Sequence, residues 1–321
     1  MIPLSFQVAF LFLGCPLDPP VVQEAAFPAD FRLGSRYPEW NAGHKGRKVC
    51  HSVFKYFWSI MPASSIDEVL SQLTDIISES QKTNNRAGYF ASLYYKVTAG
   101  VKEGIAKSVF VDGPRMERFD VIFANRYLVA LDSWKNKQSL SGSWKIALDA
   151  TGKSSLLVLQ HLLLGINAHI NLDLGIAAVE TMQGLPIENI QKDFDAINAI
   201  ISSLTYEVIH EISRVSPLLS LMGLNANQKD SILIQFSIGN ARDGAWAFAE
   251  DLSKKIGEDR LTCIATRDGD ISKLAAALAN TNGFIRFTVW IIHLFEWKKP
   301  GRIIQVLDSF SRTFIKASSV K

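Results

Sequence analysis

The sequence predicts an all-α protein: a single multi-helix bundle around a buried central helix, with an irregular N-terminal arm. Two observations predict helices, since apolar residues recur at helical spacing from about Met61 onward and no strict apolar–polar alternation is bounded by hairpin turns. A third predicts the central helix, because the segment from about Ser154 to Met182 is apolar around nearly its whole circumference. A helix of this kind is buried among other helices.

The beginning of the chain does not fit this helical pattern. Six of the eleven prolines precede residue 39, so residues 1–60 are predicted to be an irregular arm or leader and residues 61–321 the all-helical domain. The stretch from Ile2 to Gly14 is mostly apolar and ends at Cys15 like a secretory or lipoprotein leader, but it lacks a basic start. Three cysteines without a CxxC pair favour a cytoplasmic protein over a secreted or lipid-anchored one.

The helical domain begins with a start signal. Ser64 and Ser65 offer hydroxyl caps, and Asp67 and Glu68 place acids in the first turn. Apolar residues then recur at helical spacing, and glycine or proline separates several of the later segments. Further helices are predicted over about Ala87–Ser108, from Gly113–Pro114 onward, and over about Ser154–Met182, Glu188–Arg214, Lys229–Lys255, Asp270–Trp297 and Arg302–Ala317.

Composition and motifs exclude several classes of function. Hydrophobic residues make up 48% of this globular chain, and its net charge of +3 is scattered, so nucleic acid is not an expected partner. The best candidate for a membrane span, Phe284–Trp297, is short and carries Arg286, His293 and Glu296, so no stable span is expected. No P-loop, GxGxxG dinucleotide turn, GxSxG elbow or HExxH motif is present. The expected partner is a small-molecule substrate.

One polar stretch lies within the predicted central helix. An unpaired buried polar group costs about 1–3 kcal/mol, so the polar residues of a buried helix need partners or a function. They are His161, Asn167, His169, Asn171 and Asp173. At roughly 100° per residue, His161, His169 and Asp173 share one side, and His169 lies one turn from Asp173. His161 lies about 12 Å before His169, so either Gly165 bends the helix, His161 acts through another ligand, or two centres exist.

Three functions are consistent with these residues. In a metal-dependent hydrolase, His169 and Asp173 bind a divalent cation such as Zn²⁺ and His161 is a further ligand or the base, which makes all three catalytic. A His–Asp pair held away from water also suits general-base catalysis. The second function is a metal-free helical enzyme or binder of an apolar small molecule such as an isoprenoid. The third is a non-catalytic helical protein whose polar residues form a structural network.

Two further places supply candidate cofactor-binding residues. Asp193 and Asn198 lie near the start of the helix after Pro186, where they either cap and solvate the helix or donate ligands to the same cavity. Arg242 lies one turn before Trp246, so these two either form a stacked structural pair or Arg242 clamps an anion. Asp193, Asn198 and Arg242 are therefore the predicted cofactor-binding residues.

The block from Gly165 to Leu174, G-I-N-A-H-I-N-L-D-L, resembles the family known as domain of unknown function 5995. The layout around it is similar too, with Asp193-Phe194 in the next helix and a late Arg242. This resemblance covers about Met61–Ile256 and implies no activity. A more distant resemblance is to the all-helical zinc-dependent phospholipase C and nuclease fold, which also places His and Asp on core helices and implies zinc. Those enzymes use more histidines than this chain offers.

Overall fold

The structure, a computed structural model, describes residues 61–222 and 228–318 of the chain. These residues contain no strand, so the predicted all-α class is confirmed. The predicted arm, residues 1–60, lies outside them. The α-helices in this part of the chain are α1 (Ile66–Thr83), α2 (Ala87–Ala106), α3 (Gly113–Lys135), α4 (Gly142–Ala150), α5 (Val158–Ala168), α6 (Leu174–Met182), α7 (Gln191–Val215), α8 (Gln228–Ser253), α9 (Gly257–Ala279), α10 (Gly283–Phe295) and α11 (Pro300–Ser318).

Side-chain caps fix the starts of α1 and α3 close to where the sequence predicts them. The Ser65 hydroxyl accepts the backbone N–H of Glu68 at 3.2 Å, and the Glu68 carboxylate accepts the N–H of Ser64 at 2.7 Å, so α1 begins with reciprocal bonds. Asn84, with a φ of 53°, ends α1 in the left-handed conformation. The carboxylate of Asp112 caps α3 by accepting the N–H of Arg115 at 2.9 Å.

Two parts of the fold differ from the predicted helices. Helix α4 was not predicted, because its 9 residues are too few to show a clear helical period; Ser141 caps it by accepting the N–H of Trp144 at 3.4 Å. The prediction of a single helix over Asp270–Trp297 is wrong. The chain leaves α9 at Asn280 and enters α10 at Gly283, whose φ of 56° suits glycine.

The predicted central helix runs over Val158–Met182 as α5, a π-helical turn at His169–Asp173, and α6. It packs against α2, α3, α4, α8 and α9, and Leu164 and Ala168 are fully buried. Among the residues described, it is the helix long and apolar enough to cross a membrane, although 78% of its most apolar window lies inside the protein. The best candidate for a span by length and composition is thus Val158–Met182 and not the predicted Phe284–Trp297, whereas the expectation of no stable span stays a prediction.

Hydrogen bonds from distant segments fix the start of the central helix at Val158 rather than at the predicted Ser154. The N–H of Leu157 is accepted by the Gln160 side chain at 3.0 Å, and the N–H of Val158 by the Glu296 carboxylate at 3.1 Å. Gln160 in turn donates to the carbonyl of Leu278 at 2.8 Å. These side chains satisfy N–H groups that every helix start leaves free.

Two glycines let neighbouring helices approach the central helix closely. A Cβ on Gly165 would lie 2.5 Å from Cδ2 of Phe90, which belongs to α2. A Cβ on Gly175 would lie 2.6 Å from Cδ1 of Phe248 and 2.8 Å from the carbonyl oxygen of Ala245, both in α8. Glycine therefore serves packing between helices at these two positions, since any side chain would force the neighbour away.

Candidate functional site

The candidate site is built on the π-helical turn His169–Asp173. The N–H of Leu174 donates to the carbonyl of His169, five residues earlier, instead of the usual four. Within this turn Nδ1 of His169 lies 3.2 Å from Oδ2 of Asp173. The sequence predicts that these two side chains can meet, and the structure joins them directly. Single π-turns within α-helices often occur at functional sites.

The Asp173 carboxylate is held from three directions. Besides His169, it accepts Nε1–H of Trp144 at Oδ2, 2.7 Å away, and Nε–H of Arg126 at Oδ1, 2.9 Å away. Asp173 is 1% exposed, and Arg126 supplies the opposite charge that a buried carboxylate requires. Because a carboxylate only accepts hydrogen bonds, Nδ1 of His169 must be the protonated ring nitrogen and Nε2 the one with a free electron pair.

Aromatic rings enclose the imidazole of His169. Phe123 lies nearly parallel to it, 3.6 Å between centroids, and Tyr94 presents an edge at 4.5 Å. Phe90 and Trp144 complete the surround at 5.7 and 6.0 Å. Burial lowers the pKa of His169 and outweighs the opposing effect of Asp173, so the ring is neutral at neutral pH. Nε2 is buried and has no hydrogen-bond partner in the described part of the chain.

A cavity of about 170 Å³ adjoins this histidine. Apolar side chains of α2, α3, the central helix, α7 and α8 form most of its wall. Leu163, Ile166 and Ile170 contribute at helical spacing from the central helix. The polar or charged side chains among the lining residues are Tyr94, Asp120, Thr205, His169 and Arg242. An apolar wall with a few placed polar groups is the usual composition of a small-molecule site.

Asp120 is a buried acid that faces this cavity from α3, one helical turn before Phe123. It is 5% exposed, and its Oδ2 has no hydrogen-bond partner within the part of the chain that the structure describes. Burial, with a smaller effect of Glu117, raises the pKa of Asp120 to about 8. The carboxyl group is therefore protonated at neutral pH and can act as a hydrogen-bond donor.

Arg242 reaches the cavity from α8. It is 2% exposed, it donates to the carbonyl of Phe194, and its guanidinium lies over the Phe194 ring, 4.5 Å from the centroid. Trp246 packs against the same ring at 5.1 Å. Arg242 thus stacks on Phe194 and not on the predicted Trp246. Burial lowers the pKa of Arg242 to about 10, which leaves it charged at neutral pH.

The structure does not bring His161 to the other two predicted ligands. The His161 ring does not line the cavity and instead meets the edge of Tyr89, 5.7 Å between centroids. Burial, assisted by Arg86, lowers the pKa of His161 to about 4. No group of three or more His, Cys, Asp or Glu side chains suited to a metal ion occurs in the described residues. A divalent metal such as Zn²⁺ at His169 stays a prediction.

The other two predicted cofactor-binding residues lie away from the cavity wall. Asp193 accepts the N–H of Val111 at 2.6 Å, that of Asp112 at 3.2 Å, and Nη2–H of Arg115 at 2.7 Å. It therefore ties α7 to the start of α3. Asn198 is half-buried on α7 and is not a lining residue.

Several residues of the site carried only a weak signal in the sequence. Asp120, Phe123 and Tyr127 stand at helical spacing on α3, which indicates a common face but not that it meets His169. Arg126 and Trp144 reach Asp173 from 47 and 29 residues away in the chain. No local pattern encodes such a contact, because it depends on how helices pack.

Fold and site together define an all-helical protein with a buried His–Asp pair beside an apolar cavity. The model of a family described as "Family of unknown function (DUF5995)" matches residues 66–281. The chain belongs to this family, as the resemblance of its Gly165–Leu174 block predicted. No curated protein and no solved structure matches the chain. The distant likeness to the zinc-dependent phospholipase C fold stays a prediction.

Proposed function

We propose that the cavity binds an apolar small molecule and that Nε2 of His169 accepts a proton from it. This corresponds to the metal-free enzyme or binder of the sequence analysis. The observation that carries it is the buried Nε2 of His169, which has no hydrogen-bond partner among the described residues, on a side chain that lines an apolar cavity. A buried acceptor without a partner is costly to the fold, so a ligand that satisfies it accounts for its presence.

The size of the cavity limits the ligand. Its volume is about 170 Å³. An engineered cavity of about 150 Å³ lined by Leu, Ile and Phe in another protein stays dry and binds benzene. Phe90, Leu162 and Ile201 are comparable lining residues in this chain. We therefore expect a ring or short chain of about six to ten carbons.

The protonation states of two lining residues suit proton transfer. His169 is neutral with a free electron pair, and Asp120 is neutral with a proton to donate. Environments that push two titratable groups in opposite directions mark acid and base roles. His169 would remove a proton from the ligand, Asp173 would stabilise the resulting imidazolium, and Asp120 would return a proton elsewhere. One proton leaves and one is returned, as in a double-bond shift, so no redox partner is needed.

Contacts of Asp173 favour this proposal over the hydrolase and network alternatives. Both of its oxygens already accept hydrogen bonds from Arg126, Trp144 and His169, which suits an orienting role better than that of a metal ligand. A purely structural network would have its buried members paired. In contrast, Nε2 of His169 and Oδ2 of Asp120 have no partners among the described residues.

Binding is tested with toluene, a neutral molecule that fits the cavity. The melting temperature of the wild type should rise with toluene concentration, because a ligand that binds only the folded state stabilises it. Leu163→Phe fills the cavity and should abolish the rise, while Leu185→Phe at a surface position, 62% exposed, should keep it. No rise in the wild type would contradict the binding proposal.

Proton transfer is tested by mass spectrometry of small molecules extracted from the purified protein after incubation in D₂O. The wild type should insert deuterium into the bound molecule, and His169→Gln should not. A heat-denatured sample gives the uncatalysed background. Equal deuterium content in wild type and variant would contradict the role of His169 as proton acceptor.

A further inference from the structure

Arg242 is a buried cation at the cavity, and what it implies for the charge of the ligand rests on the proposed function. Arg242 is 2% exposed and lines the cavity. None of the ion pairs in the described residues includes it, and its Nε–H has no acceptor there. The acids that act on it from a distance, Asp195 and Asp243, are both exposed on the surface. A buried cation without a counter-ion is unfavourable unless something neutralises it.

The other titratable groups among the described lining residues are neutral at pH 7. Burial raises the pKa values of Tyr94 and Asp120 and lowers that of His169. Arg242 is consequently the single charged group among the lining residues that the structure describes. An anion entering the cavity meets this cation without repulsion from an ionised carboxylate of the described lining residues.

At least one donor of Arg242, its Nε–H, has no acceptor among the described residues. The Phe194 ring covers one face of the guanidinium, and the Phe194 carbonyl takes a hydrogen bond from Nη2. A guanidinium has five N–H donors in a planar fork that matches a carboxylate. Stacking on Phe194 holds this fork in one orientation.

We propose that the ligand is a small apolar carboxylate whose charged end binds Arg242 and whose hydrocarbon part fills the cavity. The carboxylate would anchor the molecule, and the hydrocarbon part would lie against the wall that contains His169. This names the class of substrate for the proton transfer proposed above: an aliphatic or aromatic acid of about six to ten carbons.

The test compares octanoate with 1-octanol, which share a chain length and differ in the head group. By isothermal titration calorimetry at pH 7, the wild type should bind octanoate at least about tenfold more tightly than 1-octanol. One charge-assisted hydrogen bond provides a gain in affinity of about this size. Arg242→Met should lose this preference and still bind 1-octanol. Arg267→Met is the matched control, because Arg267 also lies over a phenylalanine ring, Phe248 at 5.4 Å, but does not line the cavity.

Each outcome decides between the proposals. Equal or weaker binding of octanoate than of 1-octanol by the wild type overturns the carboxylate proposal and leaves the apolar cavity ligand standing. Loss of the preference in Arg267→Met as well overturns the assignment to Arg242. If neither compound binds the wild type and toluene does not stabilise it, the proposed function itself fails. The wild-type comparison needs no variant, so it holds even if Arg242→Met does not fold.

Discussion

Phe123 lies face to face with His169, with 3.6 Å between ring centroids and 8° between ring planes. This contact comes from α3, the helix that also brings Arg126 to Asp173 and Asp120 to the cavity. Stacking and edge contacts keep water from the faces of the imidazole, while Nε2 remains directed away from Asp173. One helix therefore supplies shielding, charge balance and an acid to a histidine on the central helix.

Replacing His169 by Phe separates a functional role from a structural one. The variant keeps an aromatic ring on Phe123 and removes the unpartnered Nε2, but it loses the bond to Asp173. We expect the free energy of unfolding, measured in urea, to change by less than about 1 kcal/mol. A loss above about 3 kcal/mol would point instead to a structural network.

Asp173→Asn should destabilise the protein by about 2–3 kcal/mol, because the substitution removes the charge that balances Arg126. The cost is limited because part of the Arg126 side chain is exposed to solvent. Asp149→Asn is a matched control, since Asp149 also accepts a tryptophan N–H, from Trp134 at 2.9 Å, and pairs with Lys145. That pair lies at the surface and its loss should cost less than about 1 kcal/mol. If both variants lost the same free energy of unfolding in urea, burial would not increase the contribution of Asp173 to stability.

The pH dependence of stability should report on Asp120. Its pKa is raised to about 8 in the folded protein, whereas an unfolded Asp titrates near about 4. The stabilising contribution is therefore fully present below about pH 4 and is lost as pH rises through about 8. Melting temperatures between pH 5 and 9 should fall more steeply for the wild type than for Asp120→Asn. Parallel curves would contradict the raised pKa. The substitution Asp67→Asn at an exposed position should leave the slope of the wild-type curve unchanged.

Gly165→Ala should lower stability by about 1–3 kcal/mol, because the new Cβ would lie 2.5 Å from Phe90 and displace a ring that surrounds His169. Gly239→Ala is the control on another helix, since a Cβ there meets no described residue within 4 Å. It should stabilise the protein by about 0.5–1 kcal/mol through helix propensity. A neutral Gly165→Ala would show that Phe90 moves without cost.

The all-α class and the central helix could be predicted because apolar spacing is a local property of the sequence. The His169–Asp173 pairing follows likewise from residues one turn apart. The π-turn could not be predicted, since it depends on how surrounding helices accommodate an extra residue per turn. His161 shares a side with His169 by helical geometry, yet packing against Tyr89 places it in a separate environment. Arg126 and Trp144 come from helices whose docking no short pattern specifies.

The central helix is covered by segments on both sides of it in the chain: α2, α3 and α4 precede it, and α8 and α9 follow. During synthesis, Val158–Met182 therefore emerges before two of the helices that shield it exist. Until α9 leaves the ribosome, the part of this apolar segment that α8 and α9 cover stays exposed and prone to aggregation. We expect truncation before Gly257 to give insoluble protein, and assembly of this bundle to be completed only late in translation.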